Sequence, residues 1–410
     1  MAPSSPRASA GTSSIAHNVK RLSHLALPGA GQVSVVGSYA YVGHITNRER
    51  LGTSILDVSE PANPRLVSQI FVDEPHSHSH KARVVGDLMI VNVEQNLGPL
   101  GRKAENGAEK EVSYDHGGFK LYDVSRRDQP KLIAHHRTHG RGVHRFDMDS
   151  RYAYLSTEMP GYVGNILVIY DLRDPARPEE VSRWWLPGQF TAGGETPTWR
   201  GRRNRLHHAL RFGDELWAGC WHAGVRVIDI ADIRKPRTIG EYNYHPPYPE
   251  PTHTFMPLPR TIDGRRIAVA IDEEDHAHDA QELERRKGRP HGCLWVLDVT
   301  DLSSIKPLSL FEVSELDSPW ARATPGRFGA HQFQEHMPEG DTRVYCAWFA
   351  GGLRIVDVAD PSAPQEVGWF IPEPAPGRAA PQTNDVEVDS RGLVYIVDRF
   401  EGFDVLEVKR

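Results

Sequence analysis

An apolar run closing on Asp and an aliphatic residue occurs seven times along these 410 residues, at Asp57, Asp123, Asp171, Asp229, Asp298, Asp357 and Asp404. Six of the seven are followed by Pro seven to nine residues later. Successive Asp residues stand 66, 48, 58, 69, 59 and 47 positions apart, so a core unit of about 47 residues carries insertions of variable length. Units of this size, built of short alternating segments between Gly and Pro turns, cannot bury both faces of a sheet without neighbours of their own kind. The pattern predicts an all-β fold, a seven-bladed β-propeller with four strands per blade.

The first unit parses in this way: residues 33–36 and 39–43 flank a Gly37-Ser38 turn, residues 53–58 make a third strand, and residues 66–72, after Pro64, make a fourth. Asp and Pro fall in the turn between third and fourth strands, where Pro fixes φ and Asp bonds the neighbouring backbone. The seventh unit reaches Arg410 after three strands. Residues 19–29, ending in Leu27-Pro28-Gly29, match residues 180–188, which end in Leu186-Pro187-Gly188. The N-terminal strand is therefore predicted to complete the last blade and remove the open edge of the ring.

Residues 1–18 are rich in Ser, Ala and Pro, lack the apolar core of a secretory signal, and are expected to form a disordered leader to a single domain over 19–410. No stretch approaches a membrane span. A net charge of -6 gives no general attraction to nucleic acid or anionic lipid, and no feature sets an oligomeric state. Cys220, Cys293 and Cys346 all fall in predicted strands and are too few and too far apart for a disulfide framework. A cytoplasmic location is expected.

Histidine is the anomaly, at 21 residues. Aligning the units on the turn between their first two strands sets Gly31, His80, His144, His207 and Asn384 at one position, and His253 and His331 open the longer first strands of the fifth and sixth units. Five consecutive blades thus begin their innermost strand with His, and these starts share one mouth of the channel. His78 and His208 are the register alternatives to His80 and His207. His76 is assigned to a loop, and His135, His136 and His139 to an outer strand and its exit. At the exits of the second strands stand Ile45, Glu94, Glu158, Trp221, Asp272, Phe349 and Arg399, with Glu273 next to Asp272. Insertions at 95–116 and 274–291, the latter with His276, His278, Glu282 and Glu284, are expected either to roof this mouth or to be mobile surface loops.

Neutral imidazole binds Fe, Zn, Cu and Ni, and nearby carboxylates ligate or orient the ring N–H. A divalent transition metal is expected on three or four of the five His, Fe(II) favoured, with Mn, Zn or Cu as alternatives. The competing reading for any single His is a strand cap or a bond to the next blade's backbone. Glu94, Glu158, Asp272 and Glu273 are the candidate catalytic carboxylates, and Trp221, Phe349, Arg399 and Tyr114 the candidate contacts to a small organic substrate.

The phrases Leu121-Tyr122-Asp123-Val124, Val227-Ile228-Asp229-Ile230 and Ile355-Val356-Asp357-Val358, with Glu60-Pro61-Ala62-Asn63-Pro64 and Asp360-Pro361-Ser362-Ala363-Pro364, resemble the LVIVD-repeat β-propellers over nearly the whole chain. That resemblance implies the fold and no single activity. The channel His are similar in arrangement to His-lined metallopropellers, the selenium-binding protein and methanethiol oxidase group, and more remotely to the carotenoid cleavage oxygenases with iron on four His. This second resemblance implies a metal site and transfers no substrate. The expected function is a metal-dependent oxygenase or oxidase acting on a small organic molecule, with an aromatic one among the candidates. A Zn or Mn hydrolase or lyase and a non-catalytic scaffold for a protein partner are the alternatives.

Overall fold

The computed structural model describes residues 15–74, 76–96, 114–199, 202–275, 284, 290–323 and 325–409. Each repeated phrase lies in the third strand of an antiparallel sheet whose strands follow chain order. In the first, Ala30–Val36, Tyr39–His44, Leu51–Asp57 and Arg65–Phe71 run side by side. The Asp recurs because it ends the strand: its Oδ1 accepts the backbone N–H two residues on, at 2.8–3.0 Å, from Ser59, Ser125, Arg173, Ala231, Thr300 and Ala359. Asp404 differs. It sits within the strand Glu401–Val408 and accepts a bond from His24 at 2.9 Å.

Among the described residues seven such groups follow one another, and their innermost strands touch in sequence, with Thr383–Val388 returning to Ala30–Val36. The end of one group's second strand pairs with the start of the next group's first: His44 with Ser79, Glu94 with Gly142, Trp221 with Thr252. Phe349 continues the series by accepting the Thr383 N–H at 3.0 Å. This stitching sets the strand exits and the inner-strand starts at one mouth.

Val19–Pro28 pairs with Glu401–Val408, Leu25 opposite Phe403, as the missing fourth strand requires. Leu25 and Leu27 pack with Tyr395, Val397, Phe403 and Val405 of that group and with Val33 and Val42 of the first. Within the expected leader 1–18, residues 15–17 form a strand. Ile15–His17 pairs with Gln365–Ile371 on the outer edge of the sixth group, and Asn18, at φ 54°, turns the corner between the two sheets. Residues 1–14 lie outside the described residues. So does most of both insertions, including His276, His278 and Glu282, and hence the roof expected of them; Glu284 is exposed. Among the described residues no helix is long and apolar enough to cross a membrane.

Candidate metal centre

The five aligned His residues, with His78, form a continuous arc. Ring centroids are 4.4 Å apart for His78 and His80, 5.6 Å for His80 and His144, 4.8 Å for His144 and His207, 4.1 Å for His207 and His253, and 4.5 Å for His253 and His331. The inner strands approach this closely because the preceding second strand carries Gly. A Cβ on Gly43 would lie 2.4 Å from the His80 carbonyl carbon, and one on Gly219 would lie 2.4 Å from the His253 oxygen.

Hydrogen bonds fix several tautomers. His207 Nδ1–H donates to the His253 carbonyl at 3.1 Å, and His331 Nδ1–H donates to the Asn384 carbonyl. Asn384, at the aligned position of the seventh unit, continues the pattern by donating to the Gly31 carbonyl at 2.6 Å. His144 Nδ1–H donates to Glu94 at 2.9 Å. In His144, His207 and His331 the Nε2 lone pair is therefore left over, and the Nε2 atoms of His144 and His207 face each other at 2.9 Å. His253 Nδ1 bonds Thr254 Oγ1 at 2.6 Å. His80 differs: its Nδ1 accepts from Asn92 Nδ2 at 3.1 Å, which puts its proton on Nε2. The bond to the next unit's backbone expected of a single His is made by His207 and His331, and it turns their Nε2 atoms away from that backbone. Burial pushes His80, His207, His253 and His331 well below the usual histidine range, and lowers His144 against the opposing pull of Glu94.

Of the four candidate carboxylates, two join the arc. Burial would raise Glu94, but the His144 and His78 N–H groups override it and hold it below its ordinary range; His78 Nε2–H donates to it at 3.0 Å. Glu273 Oε2 lies 4.0 Å from His253 Nε2, and its Oε1 lies 3.9 Å from His331 Nε2 and 2.7 Å from Arg327. Burial acts to raise Glu273, and its electrostatic interactions with His331 and Arg327 hold it below its ordinary range. His78, His80 and Glu94, and separately His207, His253 and Glu273, each bring ligand atoms within 4.8 Å of one another.

The other two carboxylates turn away. Asp272 accepts bonds from Tyr244 Oη at 3.0 Å, Trp295 Nε1 at 3.0 Å and Cys293 N at 3.1 Å, inside the fifth group. Adjacent strand residues face opposite sides, so Glu273 takes the mouth and Asp272 does not. Glu158 accepts the Arg141 N–H at 2.9 Å in its own hairpin and makes no bond to the imidazoles.

His208 also leaves the arc, joining a buried network one residue further along the inner strands: Arg145 bonds Glu335 at 3.0 Å, His208 Nδ1 lies 3.5 Å from Glu335, and Arg83 bonds Asp147 at 3.0 Å. The polar run Gln32, Lys81, Arg145, His208, Gln332 and Asp385, each next to an aligned position, is a sequence signal for this network. His135, on the outer strand Lys131–Arg137 as expected, donates to the His116 carbonyl at 3.0 Å.

Aromatic rings close the sides of the arc. Trp221 stacks on His207 at 4.8 Å, and Phe349 packs on His331 at 4.8 Å, with the Arg327 guanidinium 3.7 Å from the Phe349 ring centroid. Arg399 donates at 3.2 Å to Oδ1 of Asn384, the residue at the seventh unit's aligned position. Tyr114 bonds Ser77, the neighbour of His78, and packs on His116 at 5.7 Å. Sequence reasoning missed Arg327 and Asn92, which reach the arc through tertiary contacts.

The LVIVD repeat family matches residues 29–71 and 344–371. No curated protein matches the chain by sequence. Among solved structures, a chain of the mitotic checkpoint complex is similar at 9% identity and TM-score 0.58, over 95% of this chain and 94% of that one. The periplasmic gluconolactonase PpgL of Pseudomonas aeruginosa is similar at 12% identity and TM-score 0.56, over 87% of each chain. At such identities the likeness is one of fold. Repeat phrases, strand pairing and these matches agree: the chain carries LVIVD repeats and its all-β fold is that of a β-propeller.

Proposed function

We propose that the seven sheet groups are the seven blades of one closed ring over residues 19–410, and that its mouth binds a divalent transition metal through Nε2 of His144, His207, His253 and His331. The reaction class we assign is an oxygenase or oxidase acting on a small organic substrate. The carrying observation is the 2.9 Å between the Nε2 atoms of His144 and His207, both left with lone pairs by the bonds their Nδ1–H groups make. Two lone pairs so close repel unless a cation lies between them. Burial disfavours the imidazolium that a shared proton would require. Two nitrogens bound at ~2.1 Å and about 90° to one ion would stand roughly 3.0 Å apart, close to the observed separation.

Such a neutral, imidazole-rich set suits Fe(II), Cu or Zn, and the ion when bound supplies redox chemistry with O2 or Lewis acidity. Glu94 holds His144 in the tautomer that offers Nε2. Glu273, ionised and gripped by Arg327, is the carboxylate placed to accept a proton from a substrate, while Trp221 and Phe349 cover the faces of His207 and His331. Cys220, Cys293 and Cys346, all buried and free, suit a reducing compartment.

The fold likeness to a gluconolactonase favours, as a second reading, a hydrolase using the same ion to activate water. O2 uptake by tag-free, metal-loaded protein over a panel of aromatic and thiol substrates separates the two. Turnover that stops without O2 supports the oxygenase or oxidase; turnover indifferent to O2 replaces it with the hydrolase or lyase.

A further inference from the structure

Beside the arc, the loops of the fourth and fifth units enclose a cavity of about 350 Å³ lined by Arg202, Arg203, His222, His245, Tyr248 and three prolines. It adjoins the metal site through one ring: the Arg203 guanidinium stands 5.5 Å over Trp221, whose indole is stacked on His207. The chain carries a net charge of -6, yet among the described residues the charged groups lining this cavity are two arginines and no carboxylate. Arg203 uses part of its fork on Asp275. The Arg202 guanidinium has no hydrogen-bonded acceptor among the described residues, and its charge is felt at His245, which burial first and Arg202 in addition push down to about 4. His245 is a wall rather than a donor to a ligand, since its Nδ1–H serves the Tyr248 carbonyl at 2.8 Å and its Nε2 bonds Thr252 Oγ1 at 3.0 Å. His222 accepts the Arg203 backbone N–H on Nδ1 at 3.2 Å, which puts its own proton on Nε2. The cavity therefore combines guanidinium donors, one of them uncommitted, with a flat wall of Tyr248 and proline rings.

We infer that this cavity binds the carboxylate end of a flat organic molecule, which makes aryl carboxylates the substrate class of the neighbouring metal site. Guanidinium matches carboxylate with two parallel charge-assisted bonds, and an aromatic ring packs against Tyr and Pro faces. The volume suits a single-ring ligand. The substrate assignment rests on the metal-enzyme reading above; the binding assignment does not.

The test is calorimetric titration of the full, tag-free chain with benzoate and with its neutral isostere benzamide, in metal-free and metal-loaded forms, with Trp fluorescence followed in parallel. Benzoate is expected to bind at least tenfold more tightly than benzamide in both forms and to change the emission of Trp221. Arg202→Gln, an exposed position, and Arg203→Gln are each expected to weaken benzoate at least tenfold while leaving benzamide unaffected. Equal affinity for the two probes, or benzoate affinity unchanged in Arg202→Gln, overturns the inference. Should Arg203→Gln fail to fold, Arg202→Gln decides alone. Because the metal-free protein is titrated separately, failure to load metal counts against the enzyme reading and not against the cavity.

Discussion

Replacing Leu25 and Leu27 by Ala tests whether the strand from the start of the chain holds the ring shut at its end. Leu25 is 7% exposed and Leu27 4%, and both pack in one cluster with residues of the seventh and first groups. A buried Leu→Ala change costs about 2–5 kcal/mol, because the removed methyl groups leave a cavity that only partly collapses. Unfolding entropy of roughly 2 cal/mol/K per residue amounts to about 0.8 kcal/mol/K for a chain of this size. Each change should then lower Tm by about 2–6 °C if the ring melts as one unit, and the pair by about 5–12 °C, with some non-additivity because the two share neighbours. His17→Ala is the control. His17 lies on the exposed strand Ile15–His17, stacks on Trp369 at 4.5 Å, and should shift Tm by no more than about 1 °C. Scanning calorimetry with near-ultraviolet circular dichroism reads both the midpoint and the number of transitions. Deleting residues 1–28 removes the strand altogether and should abolish the cooperative transition. A double variant melting within about 1 °C of the parent, or a truncation at 28 that melts like the full chain, would refute closure by this strand.

Other consequences are separable. Asp272→Ala leaves Tyr244 Oη, Trp295 Nε1 and Cys293 N without their shared acceptor and should cost about 3 kcal/mol or more in denaturant melts, with metal content unchanged. Glu94→Gln should weaken metal binding about 10- to 100-fold in chelator competition, because His144 loses its charged acceptor, whereas Glu158→Gln should alter neither metal content nor rate. The bond to Asp404 raises the pKa of His24 above 6.5, so its stabilising contribution is full below 6.5 and is lost as pH rises through the raised folded value. His24→Gln should therefore flatten the fall in Tm over that upper window, and an unchanged pH profile would remove the linkage.

Much of this was legible because the repeating residues answer to local backbone needs. Asp57 and its counterparts recur because the backbone N–H two residues past the strand end needs an acceptor, so the phrase marks third strands. The shared His position could be counted from turn residues such as Gly86 and Gly213, both at positive φ. Which way a strand exit faces could not be counted so reliably. Asp272 and Glu273 are neighbours with opposite fates, and Glu158 is captured by a backbone N–H of its own hairpin. Arg327 reaches Glu273 across 54 residues of chain, with no local pattern to announce it. Ile15–His17 falls in a Ser-, Ala- and Pro-rich stretch, and its partner strand lies at the other end of the chain, so no local pattern marks it as a strand.

The claim that the arc of imidazoles is a metal centre is met most directly by elemental analysis of tag-free protein, alone and as His144→Ala and His207→Ala. A transition metal in stoichiometric amount, lost from both variants while their circular dichroism stays that of the parent, is the expected result. Protein that purifies and reconstitutes without stoichiometric metal, or variants that keep full occupancy, would contradict it.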